Sequence, residues 1–289
     1  MLTLPPPFEK HHREISPQAV QHVGRSDRLD LRFRLKQRRT VIGYQYQEVP
    51  FKVSRVFYSD DSPLARVIVM HSTAGLFGGD HLETRIQVDS GARAFISSQS
   101  ATKVHPSGAA PAFQSVQIKV ENDAELHYYI DPVIPFAGSH LQQFTKIQLS
   151  PRARFYFWDG LMAGRVSRGE TWQFMEIQSE MKLLVDSDLF FLDRFNIRPL
   201  ELSPTKRWAM NDHSYMATAI AYDPKLKNDS LPSLRNEIEF VQSDSESSLD
   251  IPHDFLLVGR FLSTSGASFK RARQSFQNVC LNFCPESNR

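Results

Sequence analysis

Ile86-Gln87-Val88-Asp89-Ser90-Gly91-Ala92-Arg93-Ala94-Phe95, Ile118-Lys119-Val120-Glu121-Asn122-Asp123-Ala124-Glu125-Leu126 and Ile147-Gln148-Leu149-Ser150-Pro151-Arg152-Ala153-Arg154-Phe155 are three versions of one phrase. Each alternates apolar and polar residues, turns through a short polar stretch, places an alanine, and resumes alternation. Their first residues lie 32 and 29 positions apart. A period of two puts successive side chains on opposite faces of a strand, and the turn residues divide one strand from the next. A strand–turn–strand unit returning at this interval predicts a mainly β, β-helix-like fold of stacked strands, each unit covering the apolar face of the last. The shared alanine is expected where stacked turns leave little room. A sandwich with similar hairpins is the competing expectation. A fourth Ile-Gln, at Ile177, follows 30 residues after Ile147, but its turn is not reproduced.

Outward from this centre, Leu29–Leu35 and Pro50–Val56 also alternate, and strands are expected to continue through Lys182–Asp193. The 21 phenylalanines favour strands and an aromatic core. Composition changes between Asp223 and Asp254, where Pro224, Lys227-Asn228-Asp229-Ser230 and the run Ser243–Asp250 predict exposed loop around one short strand, Ile238–Val241. Near the end, Phe269, Ala272, Phe276, Cys280 and Phe283 recur at spacings of 3 or 4, the pattern of an amphipathic helix. Ser265 or Ser268 would cap it, and its aromatic face would lie on the sheets. No linker divides the chain. The expectation is one domain over residues 1–289, with an N-terminal extension over about 1–25 and a variable polar region over 224–252.

Composition excludes several classes of function. Thirty-four basic and 32 acidic residues leave a formal charge of +2, so nothing demands a nucleic acid or an anionic membrane. No apolar run reaches the roughly 18–20 residues of a membrane span. The N-terminus, with Pro5-Pro6-Pro7 and His11-His12, lacks the apolar core of a signal peptide, which predicts a cytoplasmic protein. Two cysteines, Cys280 and Cys284, do not close a metal site and are expected to be reduced.

The segment from His71 to Lys103 carries the densest motif, Ala74-Gly75-Leu76-Phe77-Gly78-Gly79-Asp80. A P-loop places Lys and Ser/Thr directly after its last glycine, so that amides, ammonium and hydroxyl converge on one phosphate. Here Asp80 follows the glycines and Lys103 lies 24 positions beyond Gly79. The glycine spacings also fail the dinucleotide fingerprint, and a carboxylate there repels phosphate. Three more carboxylates stand in unusual company: Asp159 after Trp158, Glu170 after Gly169, and Asp193 after an apolar run. A carboxylate among large apolar side chains must be solvated, paired or metal-bound. Each has a structural alternative as a turn residue or as a partner of Arg165, Arg168 or Arg194. A carbohydrate-active enzyme using two of these acids at roughly 5–10 Å remains an alternative. His71 and His105 flank the glycines and offer imidazole to a borderline metal such as nickel or zinc. No nucleophile elbow or Cys/His dyad is present.

Together, His71–Asp80, Gly91–Ala94, Ala101–Lys103, Pro132–Ser139, Arg55–Tyr58 and Gly164–Glu170 resemble the urease accessory protein family UreD, also called UreH. The resemblance runs in order from about Leu29 to the terminal helix. It departs where Ala74 replaces the first of the family's usual two glycines. It implies a β-helix-like fold and a non-enzymatic scaffold for urease maturation, binding apo-urease and the accessory proteins UreF and UreG. UreG is the GTP-hydrolysing member, which accounts for glycines without a P-loop. The resemblance further implies an internal passage for nickel, with Asp80, Thr102, Asp159 and Asp193 at the positions proposed to line it. Ni²⁺ would be held transiently, with no tightly bound cofactor. His71, Gly75, Gly78, Gly79, Lys103, Arg165 and Glu170 are the other motif residues.

Overall fold

The computed structural model describes residues 24–283, except 60–61, 109, 208 and 239–243. The hairpin β1 (Ser26–Lys36) and β2 (Arg39–Gln47) leads through β3 (Phe51–Val53) into β4 (Ala65–His71). One coil follows as β5 (His81–Val88), β6 (Arg93–Ser98) and β7 (Thr102–Val104), and the next as β8 (Ala112–Val120), β9 (Glu125–Tyr129) and β10 (Val133–Pro135). A third opens with β11 (His140–Leu149) and β12 (Arg154–Met162). The chain continues through β13 (Glu176–Val185), β14 (Asp188–Ile197), β15 (Tyr215–Tyr222), α1 (Leu231–Ile238), β16 (Ser245–His253), β17 (Leu256–Ser263) and α2 (Gly266–Phe283).

The repeated phrase sets the stacking. Strands β1, β5, β8, β11 and β13 run parallel in one sheet, with β2 and β14 as antiparallel edges. In register, Leu31, Ile86, Ile118, Ile147 and Leu183 form one buried row. The second sheet stacks β4, β6, β9 and β12 in parallel, then continues antiparallel through β15, β17 and β16. Strands β7 and β10 pair along a short third face. This is the β-helix-like arrangement expected from the sequence, with few helices. Parallel strands lined up in this way need both faces covered, and the two sheets cover each other's inner faces.

Each turn between the sheets repeats one hydrogen bond. The amides of Ala92, Ala124 and Ala153 donate to the carbonyls of Asp89, Glu121 and Ser150 at 2.9, 3.1 and 2.9 Å. All three alanines are fully buried. A larger side chain would meet the next coil.

The outer face of the second sheet is covered by α2. Ser265 Oγ accepts the amide of Ser268 at 3.2 Å, capping the helix start. Phe269, Ala272, Phe276 and Cys280 are buried against Trp158, Tyr129 and Phe261, so the helical spacing found its expected face. On this same sheet face Glu125, fully buried, accepts from Arg93 Nε at 3.0 Å, Arg154 Nη2 at 2.8 Å and His127 Nε2 at 2.9 Å.

One local expectation changes, and two others gain detail. The fourth Ile-Gln does not continue the ladder, because Ile177 pairs with Leu141 while Ile147 pairs with Leu183. The stretch Lys182–Asp193 is broken by a turn at Asp186 and Ser187, both at positive φ (48° and 74°), which reverses the chain as hairpin turns of mirror-image type do. Between residues 224 and 252, where the sequence predicts loop around a strand at Ile238–Val241, α1 ends at Ile238 and β16 begins at Ser245. Leu234 and Ile238 bury one face of α1, and Leu249 and Ile251 bury one face of β16. Their apolar residues are too sparse among serines and acids for the pattern to stand out. The N-terminal extension to residue 23, His11-His12, Cys284 and residues 239–241 of the expected strand lie outside the described residues.

Candidate functional site in the interior between the sheets

Inward positions of these strands are mostly apolar, but a subset is polar and lines two small cavities. The first, of about 30 Å³, is bordered by His71, Thr84, Ser98, Thr102, Gln114 and Tyr128. The second, of about 20 Å³, is bordered by Gln143, Asp159, Ser179, Asp193, Met216 and Thr218. Each has room for about one water. Tyr128 stands between them. It lines the first cavity, and its hydroxyl is pushed up from the ordinary tyrosine value by burial and then by the charge of Asp159 in the second.

Asp159 lies within β12, on the face opposite Trp158. Gln143 Nε2 donates to its Oδ2 at 3.1 Å. Burial, followed by the negative charge of Asp193, pushes its carboxyl up to about 7. The folded state therefore favours the protonated acid, and stability declines as pH rises from the ordinary value of 3.8 through about 7. Asp159→Asn is expected to stabilise the protein at pH 8, with the gain shrinking to nothing near pH 4. Melting temperatures of the two proteins across that range would test this. A pH-independent difference would contradict it.

Asp193 lies mid-strand in β14 and is tied from two sides. Thr218 Oγ1 donates to Oδ2 at 3.0 Å, and Arg260 Nη1 and Nη2 donate to Oδ2 and Oδ1 at 2.7 and 2.9 Å. Arg260 also bonds the Thr218 hydroxyl.

The other motif residues divide between cavity and scaffold. Thr102 is buried and joins His71 on the first cavity. His71 packs edge-on against Phe51 at 4.8 Å, and burial lowers its pKa, so it presents a neutral imidazole. Asp80 lines neither cavity: its Oδ1 accepts the amide of Arg25 at 3.1 Å and its Oδ2 that of Phe77 at 2.9 Å. Gly79 takes a left-handed φ of +85° in that turn. At Gly75 a Cβ would come within 2.3 Å of the Lys103 carbonyl oxygen, where the coils touch. Gly75→Ala is expected to destabilise by about 3 kcal/mol, read by urea unfolding. Gly78 lies beside the backbone of the next coil, and the Lys103 side chain is exposed.

Arg165 and Glu170 pair through Nε and Oε2 at 3.0 Å, while Glu170 Oε1 accepts the Ala137 amide at 2.7 Å. The Arg165 hydrogen bond holds the Glu170 carboxyl below its ordinary range. Along this third face Phe77 stacks on His105 at 4.3 Å, Phe136 meets His105 edge-on at 4.9 Å, and Arg165 covers Phe136 at 4.2 Å.

Sequence reasoning missed Gln143, Ser179, Thr218, Tyr128 and Arg260. A signal existed for the first two: each interrupts an inward row with a polar side chain. For Arg260 there was none. Among the described residues no group of three or more His, Cys, Asp or Glu side chains is placed to hold a metal ion, and no helix is long and apolar enough to cross a membrane.

A family model described as UreD urease accessory protein matches residues 25–286. The urease accessory protein UreD of Lysinibacillus sphaericus is 27% identical over 79% of this chain and 85% of its own length. That of Deinococcus radiodurans is 33% identical over 64% of this chain and 66% of its own length. The urease accessory protein UreH of Helicobacter hepaticus is 26% identical over 60% and 72%, respectively.

Proposed function

This chain belongs to the UreD family of urease accessory proteins, and from that premise we propose that it is a non-enzymatic scaffold whose interior passes nickel ions to apo-urease. The family serves urease maturation. The observation that carries the finer reading is the second cavity: two carboxylates, Asp159 and Asp193, face a space fit for a single ion or water. Thr102 and neutral His71 line a cavity of similar size on the other side of Tyr128. Oxygen ligands with one imidazole hold Ni²⁺ weakly, and weak, sparse ligands favour transfer over storage. UreF and UreG are the proposed accessory partners, apo-urease the recipient, and the cytoplasm the setting. No nucleic acid or membrane is involved.

A carbohydrate-active enzyme fits poorly. Small-molecule sites span about 300–1,000 Å³, whereas Asp159 and Asp193 share about 20 Å³. No sugar ring enters such a space.

The test is co-expression of urease with its accessory proteins, with and without this chain, reading nickel per urease active site. Deletion is expected to abolish nickel loading, and Asp159→Ala or Asp193→Ala to reduce it severalfold. Undiminished loading after deletion sinks the whole reading. Full loading by both alanine variants leaves an adaptor without a passage. Asp80→Ala is expected to act through the fold instead, lowering melting temperature and nickel loading together, because it releases the amides of Arg25 and Phe77.

A further inference from the structure

Asp193, which borders the second cavity, is bound by a cation supplied by the protein itself. Asp193 comes from β14, Thr218 from β15 and Arg260 from β17, so the trio joins the last strands of the two sheets. The guanidinium grips Asp193 through both nitrogens, a planar fork matched to a carboxylate. Asp193 is 13% exposed at its side chain and Arg260 45%. The carboxylate therefore faces inward while the arginine arm lies at the rim, with solvent beside it. Thr218 stands directly across the strand pair from both Asp159 and Arg260. The positive group sits against the two carboxylate oxygens that a metal cation on Asp193 would use.

We propose that Arg260 is a displaceable latch: its guanidinium fills a cation seat on Asp193 and swings into solvent when a divalent ion takes that place. The idea rests on the nickel-passage reading above, and adds to it a residue that decides when Asp193 is free to take an ion. Two features favour a latch over a fixed strut. An ion pair with one half-exposed partner costs less to open than one buried on both sides, because the guanidinium regains water. A swung-out arginine at the rim also leaves no buried charge behind, since its free position is in water.

Two cations competing for one carboxylate are negatively coupled, and such couplings change affinity by factors of about 5–150. The full-length chain, purified in complex with its accessory partners, would be dialysed to equilibrium against nickel chloride. Arg260→Gln is expected to bind nickel about tenfold more tightly than the native chain. Arg260→Lys, which keeps the charge but not the fork, is expected to fall between them. The gain should vanish in Arg260→Gln/Asp193→Asn. If Arg260→Gln proves insoluble, Arg260→Met keeps the apolar stem and carries the same comparison.

No gain in affinity, or a gain that survives Asp193→Asn, overturns the latch. Failure of the passage reading has a different signature: urease fully loaded with nickel by both Asp159→Ala and Asp193→Ala. That result removes the passage and the latch with it. A reduced load with Asp159→Ala, alongside unchanged dialysis for Arg260→Gln, removes the latch alone.

Discussion

Glu125→Gln is expected to lower folding stability by about 3–5 kcal/mol, the usual consequence of removing one member of a buried ion cluster. Glu125 is fully buried and accepts from Arg93, Arg154 and His127. The amide keeps the shape but not the charge, so two largely buried guanidinium groups lose their counter-ion. Urea unfolding at pH 7 measures the loss. Glu83→Gln, which breaks the more exposed pair with Arg85, is the comparison and should change stability by less than about 1 kcal/mol. Equal effects would refute the burial argument.

The same cluster sets the response to acid. Burial opposes ionisation of Glu125, yet the hydrogen bond from His127 and the charge of Arg93 hold its carboxyl below the ordinary 4.5. A depressed carboxyl contributes stability that is complete above about pH 4.5 and drains away as pH falls further. Burial keeps His127 neutral, below its ordinary 6.5, so protonation favours the unfolded chain from about pH 6.5 downward. In an Asp159→Asn background, which removes the opposing trend between pH 7 and 4, the melting temperature should therefore fall from pH 6.5, and again below 4.5. In Glu125→Gln the lower of the two losses should disappear.

The stacked body was legible because parallel strands in register force like residues into rows. Ile86, Ile118 and Ile147 repeat for the same reason that they touch. The row continues as Leu183 rather than Ile177, since the loop between β12 and β13 shifts the count while the strand register still selects an apolar residue. The interior site was legible only as residue types. Asp159 and Asp193 announced themselves as carboxylates in apolar company, but their meeting depends on a hairpin and a change of sheet. Arg260 reaches Asp193 across 67 residues of sequence, and a lone arginine in a strand looks like any solvated one. Asp80 read as a site because it follows paired glycines. The same glycines make the turn whose Phe77 amide occupies one of its oxygens, and the amide of Arg25 occupies the other.

Trp158→Ala should have an effect as large as that of Glu125→Gln, about 3–5 kcal/mol, for a different reason. Trp158 is fully buried on the outer face of β12 and meets Phe261, Phe269 and Phe276 with ring separations of 4.8, 5.6 and 6.1 Å. Gly160, two residues on and on the same face, lets Phe269 approach, since a Cβ there would lie 2.8 Å from its ring tip. Arg273 of α2 adds a donor to the Tyr129 carbonyl at 2.7 Å, too little to seat the helix once the indole is gone. Amide exchange in α2 should therefore accelerate more than exchange in β5, β8 or β11. Trp158→Phe, which keeps an aromatic ring in place, should lose less than half as much. Asp159 points from the same strand into the cavity, so β12 couples helix seating to the interior. Because the strand's backbone pairs on both sides with β9 and β15, the coupling is expected to be weak. Nickel loading per folded Trp158→Ala molecule should stay near native, whereas Asp159→Ala lowers it without loosening α2. Preserved α2 protection in Trp158→Ala would show that the helix is held by something other than this aromatic seat.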